Sequence, residues 1–170
     1  MTRADLIRKW CVYALGLLPI WLLDAYILPR YPIFGVTPML LPTAVAVVAV
    51  LEGSRSGAGF GLGVGLLWAL TYPSSPSYLV FAMALSGMLI GVLAQYALRQ
   101  STMGAIFCSF CLLSLVNGLR VAAGRFTNAA PLSTLLAVAV PQVVLSLLWS
   151  PLVWFIFRAV FDRVGGEKLA

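Results

Sequence analysis

The chain has 170 residues, of which 62% are hydrophobic and only 9% charged, with a net charge of +6 and no histidine. Soluble domains are about 45–50% apolar and 25% charged, so a mean hydropathy of +1.02 excludes that class and predicts an all-α integral membrane protein. Without histidine the commonest general base and metal ligand is missing, and only five residues are acidic. No catalytic site, metal site or cofactor is therefore expected. The basic residues are dispersed rather than clustered, which argues against nucleic acid as a partner.

In chain order, Arg3, Arg8 and Lys9 precede an apolar run that is longer than a signal-peptide core and lacks a cleavage motif. It predicts a retained first transmembrane helix over 10–28. Residues 29–32 end it, and the following PIFGVTP segment reads as a loop or a short re-entrant piece. A second helix is predicted over 37–51, with Pro38 and Pro42 near its start, where proline removes no intrahelical bond. Residues 52–56, EGSRS, read as a charged five-residue turn in which Glu52 and Arg55 offer a cytoplasmic docking point.

The third helix, 57–72, carries Gly57, Gly61 and Gly65 four residues apart, with Gly59 and Gly63 beside them. Such positions stack on one face. In water each glycine costs roughly 1 kcal/mol against alanine, whereas in a bilayer it lets a neighbouring helix approach closely. This is the expected packing face, and Gly87 and Gly91 provide another on the fourth helix, 78–98, which Arg99 ends. The fifth helix is predicted over 103–122. The sixth, 132–157, contains Pro141 and Pro151 and is expected to kink or to split into two halves. Residues 124–131 read as a polar loop between them. Residues 1–170 thus form a single membrane domain, a six-transmembrane-helix bundle.

Six spans put both termini on one side. Arg3, Arg8, Lys9, Arg55, Arg99, Arg158, Arg163 and Lys168 fall on the side of the N-terminus, and Arg30, Arg120 and Arg125 on the other. The positive-inside rule then gives an N-in/C-in orientation, with Ser54 inside and Ser75 outside. Trp10, Trp149 and Trp154 are candidates for interfacial anchors or for core packing.

Two constellations invite a chemical reading. Cys108 and Cys111 have redox or zinc spacing, but a zinc site needs about four ligands, and small polarizable side chains also serve as packing. Asp24, Asn117, Arg120 and Gln142 come to similar depths near the outer ends of their helices. Ionisable groups within spans usually face the bundle interior or a cavity. An Asp24–Arg120 pair completed by Asn117 and Gln142 is expected, the alternative being that both charges snorkel to the headgroups.

The order of these features resembles the rod-shape-determining MreD family. The likeness runs through the proline-led second helix, EGSRSGAGFGLGVGLLWAL, GMLIGVLAQYALR and LLWSPLVWFIFRAVFDRV, and covers the chain from about Leu41 onward. One departure is that many members carry an aspartate at the end of the glycine helix, where this chain has Trp68-Ala69. The resemblance implies a non-enzymatic scaffold of the cell-elongation machinery in the bacterial cytoplasmic membrane. Its partners would be MreC and, through it, MreB and the peptidoglycan synthases. The helix count and size are also similar to the substrate-binding S-component of energy-coupling-factor vitamin transporters, whose architecture MreD is thought to share. Only that alternative implies a small-molecule ligand.

Overall fold

The computed structural model describes residues 3–32, 35–73, 75–96, 101–127 and 131–164, with side chains from Ile7 onward. The elements are α1 (Arg3–Leu22), continued by a π turn (Leu23–Ile27) and a 3₁₀ turn (Leu28–Arg30), then α2 (Leu40–Glu52) and α3 (Ser54–Thr71). They are followed by α4 (Tyr78–Tyr96), α5 (Thr102–Phe126) and α6 (Leu132–Val164). Among the described residues there is no β-strand. Four helices are long and apolar enough to cross a membrane: α1 with its continuation, α4, α5 and α6. A fifth, α2, is apolar but shorter.

The fold is organised around α2. Every residue from Leu40 to Leu51 is buried, and α1, α3, α4, α5 and α6 all contact it. Its sequence, LLPTAVAVVAVLE, has no polar face, and a helix apolar all round belongs inside. The valines and alanines keep it slim enough for five neighbours. Its 13 residues span only about 20 Å at 1.5 Å per residue. Protein rather than lipid surrounds both ends, which is where irregular backbone is tolerated at membrane depth. Large apolar side chains such as Leu15, Phe81, Leu89, Phe107, Leu148 and Phe155 instead point outward from the surrounding helices.

The expected five-residue turn is a single residue. Between Glu52 and Ser54 only Gly53 is non-helical, with φ 85° and ψ −172°, a conformation glycine adopts without steric cost. Nor is Glu52 a solvated docking point. Its carboxylate forms a buried ion pair with Lys9 and accepts a 2.6 Å hydrogen bond from Tyr13 Oη, so the C-terminal end of α2 is tied to α1. Tyr13 is held by Phe157 and Phe60, at ring-centroid distances of 6.0 and 6.3 Å. Arg55, one turn into α3, is exposed.

The glycines of α3 form a seam with α4. A Cβ on Gly61 would run into the Met83 carbonyl oxygen, one on Gly65 would lie 2.9 Å from Val80 Cα, and one on Gly57 would meet the Gly87 carbonyl and Ala49. Reciprocally, Gly87 faces Gly57, and Gly91 faces Gly53 and Ser54. Gly59 and Gly63 point the other way and have nothing within 4 Å.

Two further expectations change. Helix α5 runs through Arg125, so Gly124 begins no loop. Helix α6 is one continuous element of 33 residues through Pro141 and Pro151, not two halves. Packed neighbours and local adjustments make proline tolerable in such helices. Of the two roles open to Trp154, the structure shows core packing, since the residue is buried. Leu98, Arg99 and Lys168 lie outside the described residues.

Candidate functional site

A helix begins with N–H groups that have no partner within the helix, and leaving one unpaired away from water costs several kcal/mol. Buried α2 solves this by borrowing acceptors from other helices. Asp24 lies in the π turn that continues α1, a widened turn of the kind often found at functional sites, and it is 3% exposed. Its Oδ1 accepts the Leu40 N–H at 2.6 Å. The Met39 N–H donates to Ser146 Oγ at 2.8 Å, and Gln142 Nε2 donates to the Thr37 carbonyl at 2.8 Å. Ser146 in turn donates to the Gln142 carbonyl at 2.6 Å. The carboxylate therefore sits at the positive end of the α2 dipole, where a negative charge is favoured.

This overturns the expected Asp24–Arg120 pair. Among the described residues the ion pairs are Lys9–Glu52 and Arg158–Asp162. Among these residues Arg120 Nη1 reaches only Met39 Sδ, at 3.8 Å. Asn117 Nδ2 donates along its own helix to the Leu113 carbonyl at 3.1 Å. Asp24 does not snorkel; it closes α2. The fold does bring Asp24, Arg120 and Gln142 to the wall of one cavity of about 380 Å³. Asn117 borders an adjoining groove between α5 and α6 together with Arg120 and Gln142.

Trp68 and Tyr72 complete the wall, their rings 5.0 Å apart. Tyr72 Oη lies 3.3 Å from both Asp24 Oδ2 and the Asp24 carbonyl oxygen and donates to them. Sequence reasoning missed Ser146, Trp68 and Tyr72. The available signal was spacing: Ser146 stands one turn from Gln142, and Trp68 one turn from Tyr72, each pair sharing a helix face. Elsewhere, Cys108 is buried and Cys111 exposed. Among the described residues no histidine, cysteine and carboxylate grouping could hold a metal.

The cap makes a testable statement. Removing a capping acceptor costs roughly 0.5–2 kcal/mol, and Asp24→Ala is expected at the upper end because the freed N–H is buried. Since Asp24 and Arg120 are not paired, Asp24→Ala and Arg120→Gln should add within about 0.5 kcal/mol. A double-mutant cycle of unfolding in detergent measures this, and a coupling of 1 kcal/mol or more would restore the ion pair. In comparisons with known proteins, no family model, no curated protein and no solved structure matches the chain.

Proposed function

We propose that the protein is a non-enzymatic scaffold of the bacterial cell-elongation complex, similar to MreD. In this reading all six helices lie in the cytoplasmic membrane with both termini inside. The partners are MreC and, through it, MreB and the peptidoglycan synthases. The supporting observation is the second glycine row. Gly59 and Gly63 stand on an exposed face of α3 with Leu62, Leu66 and Leu70. Facing lipid alone, these glycines cost helix propensity and gain no packing. A partner's transmembrane helix lying against them recovers close backbone contact.

The proposed orientation draws on charge placement. Lys9 and Arg55 lie at the end of the bundle where α2 terminates, and Arg30 and Arg120 at the end where it begins. In a cysteine-free background, an impermeant maleimide added to intact cells should label Tyr31→Cys and not Arg55→Cys, both positions being exposed. The reverse pattern inverts the topology.

Function is tested by crosslinking and affinity purification from native membranes. Elongation-complex proteins should be recovered with the wild type and lost with Gly63→Leu, while loss of the protein rounds the cells. If an ATPase-bearing transporter module is recovered and depleted cells keep their shape but require a vitamin, the scaffold reading gives way to the S-component.

A further inference from the structure

We propose that the cavity at the N-terminal end of α2 binds a small amphiphilic oxyanion, a molecule with an apolar body and one carboxylate or phosphate group. Arg120 is the group that recognises the charge. The site goes beyond the scaffold reading and stands or falls separately from it.

The cavity wall carries unused donors. The cavity, at about 380 Å³, lies within the 300–1,000 Å³ range of ligand pockets. Its carboxylate is committed: both Asp24 oxygens take hydrogen bonds, from Leu40 N–H and Tyr72 O–H. Its donors are not. Arg120 carries five N–H groups in a fixed fork, yet among the described residues its one hydrogen-bond partner is a thioether sulfur. Among the described residues the Trp68 indole Nε1–H is buried with no hydrogen-bond partner, and so is Ser75 Oγ, and both residues border the cavity. A buried tryptophan N–H normally finds a partner, and a buried polar group left without one costs free energy. A wall with one free guanidinium, a free indole N–H and a free hydroxyl matches an acceptor-rich anion, which arginine holds in bidentate fashion.

The opposing charge in the same cavity is Asp24. Its carboxylate is compensated by the α2 N-terminus rather than by Arg120, so the guanidinium remains available to a ligand. The Trp68 and Tyr72 rings offer an apolar wall to the ligand's body.

The oxyanion has two sources, a lipid headgroup or a soluble molecule, and two probes separate them. Dioleoylphosphatidylglycerol in mixed micelles presents a lipid phosphate, and indole-3-acetate presents a soluble carboxylate. Dioleoylglycerol and indole-3-acetamide are the neutral counterparts. Full-length protein in a neutral detergent is titrated with each, and the melting temperature is followed relative to each variant's own unliganded value. At least one anionic probe is expected to stabilise the wild type saturably, with no effect from its neutral counterpart. Arg120→Gln should weaken that probe's apparent affinity at least tenfold and Ser75→Ala about threefold, and Arg120→Lys should retain part of the binding. Arg120 is exposed on the cavity wall and has no ion pair among the described residues, so its substitution leaves the helix packing in place. A response to the lipid alone assigns the site to a headgroup, and a response to indole-3-acetate alone to a soluble ligand. No stabilisation by either anion, or equal stabilisation of wild type and Arg120→Gln, overturns the proposal.

Discussion

Gly61→Leu is expected to destabilise the bundle by about 3 kcal/mol, the upper part of the range for overpacking a tight contact. The reason is the absence of room: a side chain at Gly61 meets the carbonyl of Met83, which is α4 backbone, not a movable rotamer. The α3–α4 seam must open, and in lipid no hydrophobic gain offsets the lost contact. Gly57→Leu should behave alike, since its neighbours are the Gly87 carbonyl and Ala49. Gly63→Leu is the control. It lies on the same helix with nothing within 4 Å, so it should not destabilise, and relief of glycine's helix-propensity cost should stabilise by up to about 1 kcal/mol. Unfolding of the purified protein in detergent measures all three. Equal effects at Gly61 and Gly63 would show that the seam does not hold these helices together.

The second large effect belongs to the C-terminal end of α2. Glu52→Ala leaves Lys9 buried, its side chain only 8% exposed, with its counter-charge gone. Breaking a buried pair by removing one partner costs about 3–5 kcal/mol. Tyr13→Phe removes one hydrogen bond from the same carboxylate and should cost only about 1 kcal/mol. Replacing both charges, Lys9→Met with Glu52→Leu, should recover most of the loss, because apolar replacements of a buried pair are often close to neutral. The comparison is again by unfolding in detergent. If the double variant is as unstable as the sum of the singles, the ion pair is not what links α1 to α2.

Much of the helical layout was legible because it depends on local properties. Long apolar runs bounded by proline, serine and charge mark α1, α4, α5 and α6. The four-residue spacing of Gly57, Gly61 and Gly65 marks a face regardless of what it meets. The run from Leu40 to Leu51, apolar but for Thr43, marked a helix without saying that it would be central. Helix ends were less legible: Ser54 and Arg125 are polar, yet both lie inside helices, because capping and packing rather than polarity set those limits.

What the sequence could not determine was which partner each charge meets. Asp24 and Arg120 border one cavity, but similar depth along two helices does not make two side chains partners. A π turn at the end of α1 and an extended approach to α2 place Asp24 on the Leu40 N–H instead, and that backbone group has no signature in the sequence. Glu52 is the same case in reverse. A charged residue in a short turn reads as solvated until the fold lays Lys9 and Tyr13, about forty residues earlier, against it. Local hydropathy and glycine spacing determined that this chain forms helices and which faces can touch. Tertiary packing alone decided that α2 is the centre, because burial of its ends leaves backbone groups and charges that only other helices can satisfy.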